Sequence, residues 1–158
     1  MKAKNINWLT TLDMQQFIAR YADQNTKKAF LGIFPIDHLP QTIPHLPILF
    51  IVNTNTCNLP GQHWKVIFVS KQGIGEVFDP LATPITLALQ CWLNEHTKRW
   101  TLSKLTLQNP LSPTCGGYAL YYIMCRLKTK SLNSCLAPFS NNVFANDILV
   151  ENFLQQFL

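Results

Sequence analysis

The chain reads as an α+β fold, a central mixed sheet packed between helices, on three observations. Residues 63–69 and 74–79 are short runs rich in branched and aromatic side chains. The turn chemistry of Ser70-Lys71-Gln72-Gly73 separates them, which predicts an antiparallel hairpin. Residues 116–127 are apolar on nearly every side, so a helix there belongs in the middle of the domain. The segments run in the order helix, several strands, helix, strand, helix, helix, which is neither all-α nor all-β nor a regular βα alternation.

Taken in order, Thr10 or Thr11 can cap a first helix ending near Arg20 or Tyr21, with Leu12, Phe17, Ile18 and Tyr21 as its apolar side. The proline-rich stretch 35–47 cannot be regular helix. Residues 48–53 read as a buried strand and 53–61 as a polar loop ahead of the hairpin. Thr83-Pro84 places a capping hydroxyl before a first-turn proline, predicting a helix from there to about residue 95 or 97. Residues 101–107 read as a further strand, and Pro110 and Pro113 hold 108–114 as a loop. Cys115 opens the apolar helix, and a last helix is expected from Asn146 or Asp147.

The 158 residues suit one domain with one substantial core, taken as 1–158. With 47% hydrophobic and 13% charged residues the composition is globular and excludes a disordered chain. No apolar run approaches the ~18 residues that cross a bilayer, so no membrane partner is expected. Residues 1–5 lack the apolar stretch of a secretory signal. Five cysteines leave at least one thiol unpaired in a monomer, the expected state, and point to a reducing compartment. None forms a Cys-x-x-Cys pair, and Cys91 with His96 alone is too little for a ligand set, so no metal is expected. The net charge is +5. Lys27-Lys28, Lys98-Arg99, Lys104 and the stretch 126–130 would attract a polyanion such as DNA if they share a face.

Four residues carry the chemistry. A turn at 70–73 pairs positions whose numbers sum to about 143, which sets His63 opposite, or one step from, Asp79 and Pro80. A carboxylate on one ring nitrogen leaves the other for a thiol. Cys115 stands where a proline-bearing loop becomes a helix, beside unsatisfied N–H groups and the positive end of the dipole, an environment that in general favours thiolate. Gln108 can reach back over its loop to donate an amide N–H to an oxyanion, with a backbone N–H at Cys115 or its neighbour as the second donor. Gly116 and Gly117 each cost a helix about 1 kcal/mol against Ala, so close substrate approach, a tight turn or packing must account for them. Singly, each residue has an ordinary reading: a strand-start histidine, a turn aspartate before proline, a solvated glutamine, a structural cysteine.

Taken jointly, Phe30-Leu31-Gly32, Val52-Asn53-Thr54, Gly61-Gln62-His63-Trp64, Phe78-Asp79-Pro80 and Gln108 through Cys115-Gly116 resemble the adenovirus maturation protease, adenain, and more distantly the SUMO-deconjugating cysteine proteases. The resemblance covers about residues 12–127. It implies Cys115 as nucleophile, His63 as general base, Asp79 as the orienting acid, and an oxyanion hole from Gln108 with the amides of Cys115 and Gly116. It implies that Trp64 walls a narrow slot admitting glycine, with Gly61 and Gly117 beside the substrate. The implied substrates are viral precursor proteins cut at Gly-containing sites during virion maturation, in the virion and the host nucleus. The implied source is an adenovirus-like virus or virus-like transposon. No cofactor is required for that chemistry. The family is stimulated by DNA and by a cysteine-bearing viral peptide, but the position expected to bond that peptide is Thr97 here, and Cys91 is off register. Two other readings stand beside this one: removal of a ubiquitin-like modifier, and a non-catalytic DNA- or capsid-binding module that keeps the fold.

Overall fold

The computed structural model describes residues 9–55 and 63–158. The expected polar loop therefore falls largely outside the described residues, as do Cys57, Gly61, Gln62 and the N-terminal residues 1–8. Five strands form one mixed sheet in sequential order: β1 (Phe30–Pro35), β2 (Ile48–Asn53), β3 (Trp64–Val69), β4 (Ile74–Phe78) and β5 (Arg99–Leu102). The central pairs β2–β3 and β3–β4 are antiparallel, and the outer pairs β1–β2 and β4–β5 are parallel.

β2 and β3 are covered on both faces, which is why they read as apolar runs, interrupted in β3 only by Lys65. Leu49, Ile51, Trp64, Val66, Phe68 and Phe78 face one layer, built on helices α1 (Thr11–Tyr21), α4 (Cys115–Arg126) and α6 (Val143–Gln155). Ile48, Phe50, Val52, Ile67, Val69 and Val77 face the other, against Leu89, Trp92 and Leu93 of α3 (Leu87–His96). The fold is thus α+β with its sheet between helices, and α4 is the buried central helix, with residues 116–124 all inside. Two short helices, α2 (Gln24–Ala29) and α5 (Leu132–Leu136), complete it.

One polar cluster ties α4 to the sheet. Arg126 donates to Glu76 from Nε at 2.7 Å and from Nη2 at 2.6 Å, while Tyr122 donates to the same carboxylate at 2.7 Å. The guanidinium lies over the Phe68 ring, 4.3 Å from its centroid. Arg126, placed by its sequence among surface basic residues, is therefore internal at 6% exposure.

Several boundaries differ from expectation, each for a local reason. α1 is capped by Thr10 in a capping box with Asp13, but its buried side is Met14, Phe17 and Ile18, and Leu12 is exposed. α3 starts three residues after Pro84, with Thr86 as its cap, because the Thr83 hydroxyl is taken by Asp79. β5 spans 99–102 rather than 101–107, since Ser103 turns to the Asp79 backbone and the Leu107 and Gln108 amides both bond the Pro80 carbonyl. α6 begins at Val143 because Asn142 caps the Phe144 and Ala145 amides. No helix among the described residues is long and apolar enough to cross a membrane.

Candidate active site

The hairpin register does the first part of the assembly. Gly73 takes the left-handed conformation the turn needs, at φ 78°, and the ladder pairs Val69 with Gly75 through Val66 with Phe78. Extending that register sets Lys65 across from Asp79, and strand parity puts His63, two residues earlier, on the same face. The approach is diagonal: the ladder's pairs sum to 144 rather than about 143, so His63 extends toward position 81, two residues from Asp79, rather than opposite Asp79 or Pro80. His63 Nε2 and Asp79 Oδ1 are 2.6 Å apart.

Asp79 is held by the turn it starts. Oδ1 accepts the Leu81 amide at 2.9 Å, and Oδ2 accepts the Thr83 amide at 2.9 Å and the Thr83 hydroxyl at 2.6 Å. Its own amide donates to Ser103 Oγ at 2.9 Å, and Ser103 donates back to its carbonyl. Ala82 adopts φ 50° to close this turn, a left-handed conformation unusual for alanine. Burial pushes the Asp79 carboxyl up, but the bond and charge of His63, followed by Thr83 and Leu81, outweigh it and hold the group well below the usual carboxylate range.

The His63 ring has a second neighbour, the Cys115 side chain. Burial disfavours the charged ring. The hydrogen bonds with Asp79 and Cys115, and the charges of both, more than offset that and raise His63 to about 9. With Nε2 on Asp79, Nδ1 is the nitrogen left for the sulfur. Cys115 is the first residue of α4, half-buried, and Thr114 gives the helix no side-chain cap. The first amides of α4, Gly116 among them, have no intrahelical acceptor and point toward the sulfur's end of the helix. The remaining described cysteines differ. Burial raises Cys125, pushes Cys135 up to about 12, and Cys91 sits exposed on α3.

The loop ahead of Cys115 is braced from behind. Asn146 donates to the Leu107 carbonyl at 3.0 Å, and Tyr118 donates to the same carbonyl and, at 2.8 Å, to Asp147. Asp147 also accepts from the Asn109 amide and the Thr114 hydroxyl. Within this frame Gln108, 2% exposed, reaches back and donates Nε2 to the Ser112 carbonyl at 2.7 Å. Its Oε1 is buried without a partner. Such an orphan costs about 1–3 kcal/mol. Gln108→Met, which removes the orphan but also the bond to the Ser112 carbonyl, is expected to change stability by no more than about 2 kcal/mol while lowering kcat about 10²- to 10³-fold if this amide serves an oxyanion. Thermal melts and steady-state rates on one preparation check both halves.

The remaining residues expected near substrate fall as follows. Trp64 is 7% exposed and packs in the core layer beneath α4. Gly61 lies outside the described residues. Gly117 has no room for a substrate at its Cα, because a Cβ there would stand 3.0 Å from Val150 of α6. A Cβ on Gly116 would meet Leu9 at 3.1 Å. Both absent side chains thus answer to helix packing. Lys65 escaped the sequence reading, although the parity that joins His63 to Asp79 includes it. Its ammonium is 3.2 Å from Asp79 Oδ2. Among the basic groups, Lys128 pairs with Asp23 at 3.6 Å, which brings it beside α2, whose last turn carries Lys27 and Lys28. Among the described residues no group of three His, Cys, Asp or Glu could hold a metal ion.

The mixed sheet between helices that carries this thiol, ring and carboxylate is a fold found among solved proteases. One match is to the ASFV pS273R protease, at TM-score 0.65 and 19% identity over 90% of this chain and 65% of that one. The selenomethionine form of that protease gives 0.61 and 18%, over 92% of this chain and 68% of that one. This chain therefore spans about two thirds of the length of that protease, and at such identity the likeness is one of fold. The SUMO protease Ulp1, with its catalytic cysteine oxidized to a sulfinic acid, superposes more loosely, at TM-score 0.49 and 13% identity over 93% of this chain and 79% of that one. No protein-family model matches the chain, and no curated protein matches it.

Proposed function

We propose that the chain is a cysteine endopeptidase of adenain-like type. The carrying observation is His63, fixed through Nε2 by Asp79 at 2.6 Å and bordered by Cys115 at the start of α4. With the proton on His63, the Cys115 sulfur attacks the scissile carbonyl carbon and the π electrons move to oxygen. The oxyanion is met by the free amides of α4 and the amide of Gln108. The C–N bond breaks as His63 passes its proton to the departing amine, leaving a thioester. Water then adds to that thioester, its proton going to His63, and sulfur departs as thiolate. Every atom of the cycle comes from chain, substrate and water, so the chemistry asks for no cofactor.

The substrates in this reading are viral precursor proteins cut at Gly-containing sites during particle maturation, in the virion and the host nucleus, by a monomer acting as a single domain over residues 1–158. Trp64, next to His63 in the chain, walls the glycine slot. In this reading DNA is a partner through the basic residues, among them Lys27 and Lys28 in the last turn of α2.

Mass-spectrometric mapping after a low dose of iodoacetamide at neutral pH tests the nucleophile. Cys115 is expected to label first, ahead of exposed Cys91 and well ahead of Cys125 and Cys135, whose thiols burial raises. First labelling at Cys91 would overturn the assignment. Glycine-containing peptides set against ubiquitin-like conjugates separate maturation cleavage from deconjugation. DNA binding without labelling at Cys115 would instead mark a binding module.

A further inference from the structure

Lys65 is a charged side chain in an apolar layer, 3% exposed on a strand whose six residues are all buried. An ammonium in such a place is costly unless it is paired and hydrogen-bonded. Its two bonds go to the two ends of one turn: Asp79 Oδ2 at 3.2 Å and the Pro84 carbonyl at 3.1 Å. The turn between them is the one that presents Asp79 to His63. Apolar side chains of β2, β3, β4 and α3 could have filled this space, as they fill the rest of the layer. A lysine there costs side-chain entropy and desolvation that leucine would not.

Charge gives it a use. The Asp79 carboxylate takes His63 on Oδ1 and Lys65 on Oδ2, so two cationic groups share one anion. Without the ammonium, the carboxylate's whole field would fall on the ring, and His63 would release its proton to a departing amine less readily. Without the bond to Pro84 as well, the turn would lose the brace that sets the direction of Oδ1. The titratable groups around His63 are Asp79 from the end of β4, Cys115 from α4 and, through Asp79, Lys65 from β3. Lys104 borders the same cavity of about 280 Å³ behind Asp79, together with Lys65, Thr83 and Ser103.

We propose that Lys65 is a positioning residue for the hydrolysis: its ammonium fixes the Asp79 carboxylate within the 79–84 turn and offsets part of its charge, so that it governs how tightly His63 keeps its proton. The inference rests on the reading of Cys115, His63 and Asp79 as the reacting set.

The test compares Lys65→Met, which keeps the apolar stem and removes the charge, with Lys65→Gln, which keeps a donor and removes the charge. In both, the alkaline limb of kcat/KM is expected to move up by about one pH unit, because the anion on the ring is no longer shared. kcat is expected to fall roughly tenfold with KM little changed, and the fall should be smaller in Lys65→Gln, whose amide can still hold the turn. NMR titration of the His63 ring in each variant reads the same shift without substrate. A lysine that merely filled the core would lower the melting temperature and leave limb and ring titration where they are, and that result overturns the proposal. Failure of both variants to fold overturns it equally, since Lys65 would then belong to the core alone. An unmodified chain with no thiol-dependent hydrolysis would instead end the reading of the reacting set, while the ring titration would still decide the coupling of Lys65 to His63.

Discussion

Cys115→Ala is expected to lose about 10⁵- to 10⁶-fold in kcat/KM on a glycine-containing peptide while folding as before. The magnitude follows from the loss of a covalent route: alanine leaves the oxyanion donors and the binding surface intact, but no atom can form the thioester. The fold should tolerate the change. Cys115 is the first residue of α4 and only half-buried, and alanine is at least as good a helix former. Rates with purified protein, alongside matched thermal melts, check it. Turnover by the alanine variant at even a hundredth of the parent rate would end the case for an acyl-enzyme.

Asp79→Asn is expected to cost about 10⁴-fold in kcat, the scale found when the acid of a nucleophile–histidine–aspartate set becomes an amide and the ring is held in the wrong tautomer. Two further signatures separate it from Cys115→Ala. The alkaline limb should move down by roughly two pH units, toward the ordinary histidine value of about 6.5, because Asp79 is the stronger of the two neighbours that raise His63. The variant should also be less stable by about 3–5 kcal/mol, since it leaves the Lys65 ammonium buried opposite a neutral amide. The pH dependence of stability has a definite sign. His63 is raised from 6.5 to about 9 in the fold, so its contribution is fully present below pH about 6.5 and disappears as pH climbs through about 9. Chemical denaturation at pH 6 and pH 10 should show that loss in the parent and little of it in Asp79→Asn. Equal losses in both proteins would mean that the carboxylate is not what holds the ring's proton.

Much of this arrangement is visible in the chain before any coordinates. A hairpin turn defines register, and Ser70-Lys71-Gln72-Gly73 brings residue 63 near residue 79, but the shared face rests on a ladder whose pairs sum to 144, one more than the turn suggests. The central strands and α4 were equally plain, because a segment buried on all sides has no polar face to confuse its reading. What escaped was set by tertiary capture of groups that look like local signals. Thr83 has the form of a helix cap but serves Asp79, and Ser103 interrupts a strand-like run to bond the Asp79 backbone. β1 carries no alternation to detect, since all six of its residues are half-buried. The two glycines after Cys115 suggested room for a ligand, and their neighbours are apolar side chains from helices far away in sequence. Lys65 was hidden by composition: one lysine among valines and isoleucines reads as an exposed position on a strand, and nothing nearby in sequence announces its partner.

The paired glycines carry a consequence beyond their own packing. A side chain at the first would meet Leu9 and Met14 and one at the second would meet Val150 and Leu154 of α6, on two adjoining sides of the same helical turn. Where the sulfur sits is therefore set in part by packing against the two ends of the described chain. Leu9, Met14, Val150 and Leu154 act as distant calipers on the reactive atom, so variation at those apolar positions should be felt as chemistry and not only as loss of cohesion.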